Sequence, residues 1–307
     1  MEKQFQIIAA PMAGITDQPF RQILRRINPN IGIMTEMISC HSITRIRQGT
    51  SAQAATIHGR NADQYFGDQI DAQIFGAEPN LMAEAAKILE GLGAVSININ
   101  SGCPVPKVAT RAGAGAFLMR DHKLAGQIME CVRRAVKIPV TLKTRLGWDE
   151  SNVNVRDMVR LAEQTGMSQV IVHARTRAQG YSGDASKRWR EIPMSDKLDV
   201  IFNGDIKSQA DIAMVRDMGA HGAMIGRAAM GNPWIFPDAA PRNNTIILEH
   251  LELMLSYYGA RAAVPMFRKH AAWYATRRQG ASDFRKLVNT IIDEHALRKV
   301  LKEFFGI

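Results

Sequence analysis

One pattern repeats eight times in roughly the first 230 residues of this chain. A short β-branched or apolar run gives way to a helix-length stretch that often closes on glycine. The runs are Gln6–Met12, Gly32–Met37, Ala72–Gly76, Val95–Asn100, Val140–Leu146, Gln169–Ala174, Val200–Gly204 and Ala223–Gly226. Between them lie Thr16–Ile27, Pro79–Leu92, Asp121–Val136, Asn154–Thr165 and Ser208–Met218, with Gly93, Gly166 and Gly219 placed as helix C-caps. Strands separated by helices pair in parallel, and eight such units fill the roughly 200–250 residues of an α/β (β/α)8 TIM barrel. An open doubly wound sheet is the competitor, but no Gly-x-Gly-x-x-Gly follows the first run.

After Pro233 and Pro241 the strand signals stop. Residues 243–307 read as three helices: Asn244–Tyr258 closed by Gly259, about Val264–Gln279 closed by Gly280, and Ser282 to the end. The expected division is a barrel domain at 1–240 and a C-terminal all-α helical domain at 241–307. Residues 48–68 carry no clear period and read as a long insertion between the second and third strands. The chain carries 39 Lys+Arg against 29 Asp+Glu, a net charge of +10 that suits a polyanionic partner. Residues 242–307 hold 11 basic and 6 acidic side chains, so +5 falls in the helical region. Lys269, Trp273 and Arg277 are spaced to line one helix face, with Arg268, Arg278, Arg285 and Lys286 nearby. Tyr274, like Trp273, reads as packing, leaving phosphate contacts to the basic side chains. With no apolar run of membrane length and no leader-like start, a cytoplasmic protein with no membrane association is expected. Cys40, Cys103 and Cys131 form no close pair, which argues against disulfides and metal, and a monomer is expected.

In such a barrel the C-terminal strand ends face one mouth. Those ends carry Pro11-Met12-Ala13, Gln73, Asn100 and Cys103, Lys143 and Arg145, His173 and Arg175, Asn203-Gly204-Asp205, and Gly226-Arg227. Glycines followed by Arg after the last two strands suit a phosphate, through backbone N–H groups and a helix start. Cys103 stands where a buried-looking strand breaks at Gly102-Cys103-Pro104 into a glycine-rich loop, a place for chemistry as much as for packing.

Ala10-Pro-Met-Ala-Gly-Ile-Thr-Asp17, Asn100-Ser-Gly-Cys-Pro104, Leu142-Lys-Thr-Arg-Leu-Gly-Trp148, Val172-His-Ala-Arg-Thr176, Asn203-Gly-Asp205 and Ile225-Gly-Arg227 occur in that order. Together they resemble the tRNA-dihydrouridine synthase family, most closely its bacterial B-type branch. The resemblance implies an FMN-dependent barrel that reduces uridine in tRNA with NADPH. It makes Cys103 the proton donor and Asn100 a holder of the base or flavin edge. Pro11, Met12, Ala13 and Gln73 would contact the flavin ring, with Lys143 and His173 on its pyrimidine side. Asn203, Gly204, Asp205, Gly226 and Arg227 would hold ribityl and phosphate. Arg145, Arg175, Arg268, Lys269 and Arg277 are the candidate substrate contacts. The family usually has Asp at Asn98, Met at Ser101 and Gly at Ala174, and Pro106 is unusual in the cysteine loop.

Plainer readings stand beside these. Lys143 would otherwise be a surface lysine and His173 a satisfied core histidine, while Arg145 and Arg175 would pair with Asp205 or Asp149. Three other functions fit parts of the pattern: a free-pyrimidine FMN barrel akin to dihydroorotate dehydrogenase, a Schiff-base aldolase using Lys143, and an RNA-binding protein without turnover. The basic helical domain disfavours the first of these, since a small substrate does not need it.

Overall fold

The computed structural model describes residues 4–48, 56–57, 60–61 and 70–307. Its strands are β1 (Gln6–Ala9), β2 (Gly32–Ile33), β3 (Ile38–Ser39), β4 (Thr56–Ile57), β5 (Arg60–Asn61), β6 (Asp71–Phe75), β7 (Ser96–Ser101), β8 (Val140–Arg145), β9 (Gln169–His173), β10 (Asp199–Asn203) and β11 (Gly222–Ile225). Nine of them form one sheet in the order β2-β1-β11-β10-β9-β8-β7-β6-β3, every neighbour parallel. β2 and β3 are two halves of a single stretch. Met34 between them bridges Asp71, and the Thr35 N–H donates to the Asp71 carbonyl at 2.9 Å. The two ends of the sheet are therefore one strand position, and the sheet closes as a (β/α)8 barrel.

The interior is built as a parallel sheet covered on both faces requires. β9 is buried at all five positions, and Ile8, Ala10, Met34, Ile171, Ile201 and Met224 form one interior cluster. The split of the second strand left no mark in the hydrophobic pattern, because Ile33, Met34 and Ile38 are all buried across the break. Of the 48–68 insertion, only the end of the helix Cys40–Gln48 and the antiparallel pair β4–β5 fall among the described residues.

The chain divides into two units: residues up to Thr16 with Gly32–Gly226, and Asp17–Ile31 with Arg227–Ile307. In the second, the helix Gln18–Ile27 packs Ile23 and Ile27 into a core with Leu251, Met254, Phe267, Leu297 and Leu301. Asp17 caps that helix by accepting from Phe20 N at 3.0 Å, and Tyr258 donates its hydroxyl to the same carboxylate at 2.9 Å.

Where three C-terminal helices are expected, four form: Thr245–Tyr258, Ala260–Tyr274, Ala281–Thr290 and Glu294–Phe305. The extra break comes from Asp293, whose side chain accepts from Ala296 N at 2.7 Å and starts a new helix. The second helix begins four residues before Val264 and tolerates Pro265 near its start. It also stops at Tyr274, and Arg277 lies beyond it at φ 68°. Arg277 therefore does not extend the Lys269–Trp273 face.

Candidate active site

A chain of side-chain amides underlies Cys103. Cys103 N and Gly102 N both donate to Asn100 Oδ1, at 2.9 and 3.0 Å. Asn100 Nδ2 donates to Gln73 Oε1 at 2.8 Å, and Gln73 Nε2 to Asn98 Oδ1 at 2.7 Å. Asn98 Nδ2 closes the relay on Thr141 Oγ1 at 2.7 Å. Every member is buried, so each hydrogen bond removes a desolvation penalty and fixes its neighbour. An Asp at position 98 would lack the N–H that reaches Thr141. Thr141 escaped the sequence reading and Asn98 entered it only as a departure from the family pattern, although a signal existed. In Ser96-Ile-Asn-Ile-Asn-Ser101, Asn98 and Asn100 are two apart and share a strand face.

Arg145 fastens the cysteine loop from the other side. Its Nε donates to the Gly102 carbonyl at 2.7 Å, and its Nη1 donates to the Thr176 and Gly180 carbonyls at 3.0 and 2.8 Å. The turn Gly115–Met119 supports the loop as well, Ala116 N donating to the Cys103 carbonyl at 3.1 Å.

Electrostatically the site combines burial with the positive neighbours Lys143 and Arg145. Burial pushes the Cys103 thiol above its ordinary value, outweighing the Val105 N–H, Arg145 and Lys143, which act the other way. Burial, with Arg145 in support, pulls the Lys143 amine down to about 7. Lys143 Nζ donates to Asn203 Oδ1 at 3.2 Å, and Asn203 Nδ2 donates to the Met224 carbonyl at 2.8 Å.

His173 and Arg175 close the β9 end. Arg175 Nη1 lies 3.1 Å from His173 Nε2, while Nε and Nη2 donate to the Ser182 and Gly183 carbonyls at 2.9 and 2.8 Å. Arg175 also forms a buried ion pair with Asp205. Burial raises the Asp205 carboxyl, but the Ala185 N–H, Arg175 and Lys207 together hold it below its ordinary value. Between Asn203 and Asp205 the chain turns at Gly204, φ 111°, where a Cβ would lie 2.8 Å from His173 Cδ2 and 2.9 Å from Ala185 Cβ. Trp189 Nε1 donates to the Gly204 carbonyl at 2.9 Å and fixes that turn. Gly226 follows β11 with Ala10 and Met12 beside it, in the loop that also carries Pro11 and Ala13.

The structure thus brings together Met12, Gln73, Asn100, Cys103, Lys143, Arg145, His173, Arg175, Asn203, Gly204, Asp205 and Gly226 in one unit. Arg227 opens a short turn of the other unit, where Arg268 donates through Nε to the Ile291 carbonyl at 3.0 Å. Cys40 is fully buried and its thiol pushed up to about 11, as fits an inert residue. Among the described residues no cluster of three His, Cys, Asp or Glu is placed to hold a metal, and no helix is long and apolar enough to cross a membrane.

Residues 7–305 match the family model described as Dihydrouridine synthase (Dus). The chain is 36% identical over 321 residues to a protein of Rickettsia conorii named probable tRNA-dihydrouridine synthase, covering 99% of this chain and 95% of that one. It is 37% identical over 317 residues to tRNA-dihydrouridine synthase B of Pseudomonas aeruginosa, covering 98% and 93%. Among solved structures, a mandelate oxidase variant with an FMN adduct aligns at TM-score 0.47 and 15% identity, covering 98% of this chain and 74% of that one.

Proposed function

The chain belongs to the dihydrouridine synthase family, and from that premise we propose that it reduces the C5–C6 bond of uridine in tRNA, using FMN and NADPH, with Cys103 as the proton donor. One observation carries the reading. The Cys103 thiol stands on a loop pinned by Asn100 through two backbone N–H groups and by Arg145 through the Gly102 carbonyl, and burial holds that thiol above its ordinary value.

The residues present fit a flavin mononucleotide. Among the described residues Lys143 meets a neutral hydrogen-bond acceptor in Asn203 and forms no ion pair with a carboxylate, so the negative edge of a bound ligand would be a suitable partner. Lys143 and His173 would hold the pyrimidine side of the ring. Pro11, Met12, Ala13 and Gln73 would lie along it, with Asn203, Gly204, Asp205 and Gly226 at ribityl and phosphate. The turn at Gly204 leaves no room for a side chain, which suits close approach of backbone to a ligand. When bound and reduced, the flavin supplies a hydride to one carbon of the base double bond.

Cys103 supplies the other hydrogen. Its Sγ–H remains in place at neutral pH, and after transfer to the carbon next to the carbonyl the thiolate recovers a proton from solvent. Lys143 and Arg145 stabilise that thiolate while it lasts. Asn100 fixes the loop through two backbone N–H groups, so the thiol is aimed before the base arrives. Arg145 and Arg175 act as positioning residues whose donors hold backbone carbonyls. In the helical unit, Lys269 and Arg277 are the proposed phosphate contacts, while Arg268 ties its helix to Ile291.

The test is to incubate the flavin-loaded protein with NADPH and tRNA transcript, then digest and weigh the nucleosides. A gain of two hydrogens at uridine supports the reading; transcript recovered unchanged overturns it.

A further inference from the structure

Four cations stand on the loops around Cys103: Lys107, Arg111, Arg120 and Arg177. None of the four forms an ion pair with a carboxylate among the described residues. Two of them gather on one ring. The Arg177 guanidinium carbon lies 4.5 Å from the centre of the Trp148 indole, and that of Arg120 lies 5.0 Å from it. Phe117 meets Trp148 edge-on at 6.3 Å and lies 5.9 Å from Arg120.

The cluster is built into the frame of the site. Phe117 and Arg120 belong to the turn that holds the Cys103 carbonyl, Gly115–Met119 and the residue after it. Arg177 N and Ala178 N donate to the Gly147 and Trp148 carbonyls at 2.8 and 2.9 Å, stitching together the loops that follow β8 and β9. These loops leave the strand ends that carry Arg145 and His173, and β8 pairs with β7, whose end leads to Cys103. Arg177 Nε is buried with no hydrogen-bond partner among the described residues, and Nη2 makes only a long contact, 3.4 Å, to Thr110 Oγ1.

Two like charges over one indole repel each other, and ring attraction offsets that repulsion only in part. A bridging anion would relieve that repulsion and take up the unused N–H groups in a planar fork. An indole and phenyl ring interleaved with arginines is what a splayed single strand of RNA requires beside its phosphates. We propose that Arg120 and Arg177, presented by Trp148, bind the phosphodiester backbone of the RNA strand next to the nucleotide that reaches Cys103. This rests on the tRNA reading above and assigns to its barrel face a contact of its own.

The experiment uses the flavin-loaded full chain and its Arg120→Gln, Arg177→Gln, double and Arg177→Lys variants. Binding of unmodified tRNA transcript is measured across a KCl series, and NADPH-driven flavin bleaching is followed separately. Each arginine lost should lower the slope of log K against log salt by about 0.7–1. Arg177→Lys should retain most of the slope. The tRNA KM should rise in the double variant, with kcat at saturating tRNA and the bleaching rate unchanged. A parental slope and KM in the double variant overturn the proposal. So does a defect confined to bleaching, which would assign the phosphate to the nucleotide reductant. Arg120 is exposed, so Arg120→Gln carries the test should Arg177→Gln not fold. Arginine-dependent binding without dihydrouridine would overturn the tRNA-reduction reading alone, and turnover with an unchanged slope would overturn this proposal alone.

Discussion

Arg145 Nε donates to the Gly102 carbonyl at 2.7 Å, one residue before the thiol proposed as the proton donor. The same side chain reaches Thr176 and Gly180, so one buried guanidinium ties the cysteine loop to the loop after His173. Arg145→Met removes three charge-assisted hydrogen bonds and leaves buried carbonyls unpaired. The expected loss is about 3 kcal/mol or more, read as a lower thermal midpoint. Arg145→Lys should recover the charge but not the fork, and restore little.

Gly204→Ala should act on the neighbouring strand end. The new Cβ meets His173 and Ala185 under 3 Å at a φ of 111°, so the turn must move or the imidazole must. Destabilisation of roughly 1–3 kcal/mol is expected. FMN affinity should fall with it, measured by flavin fluorescence on titration.

Lys143 gives a pH dependence of known sign. Its folded value of about 7 lies below the ordinary 10.5, so the folded protein holds fewer protons than the unfolded chain between these values. The penalty for burying the charged amine is complete below pH 7 and fades toward pH 10. Flavin-free protein should therefore gain stability from this group as pH rises from 7 to 10, and Lys143→Met should remove that slope. Melting curves of the two proteins across that range, subtracted, give the effect.

The helical unit has its own dependence, of the same origin but at lower pH. His250 and His270 are buried with ring centres 4.6 Å apart, among Phe20, Phe267, Trp273 and Tyr274. Burial holds His250 down to about 3 and His270 well below its ordinary value, with Lys269 adding to both and His250 also acting on His270. Stability from these groups is complete above pH 6.5 and is lost as pH falls toward the folded values. At pH 5 the loss should approach about 2 kcal/mol per histidine, and His270→Leu should make the unit less acid-sensitive.

Much of this was legible in the chain. The barrel showed because strands buried on both faces need apolar runs, and glycines mark the helix ends between them. Cys103, Lys143 and His173 stood out because strand ends of a barrel converge. What stayed hidden depended on partners distant in sequence. Nothing local says that Asn98 hands Gln73 on to Thr141, or that Arg145 reaches the carbonyls of Thr176 and Gly180. Arg120 and Arg177 are 57 positions apart, and only folding brings them to one indole. The break before Asp293 was readable, since Asp-Glu-His-Ala begins a helix in its own right.

The measurement that bears most directly on the account follows flavin absorbance without oxygen. The purified protein is reduced with NADPH, then mixed with unmodified tRNA transcript in one cell and orotate in another. Rapid recovery of the oxidised flavin spectrum with tRNA alone, slowed steeply by Cys103→Ala with flavin still bound, is the predicted result. Recovery with orotate alone, or tRNA turnover unchanged in Cys103→Ala, would contradict it.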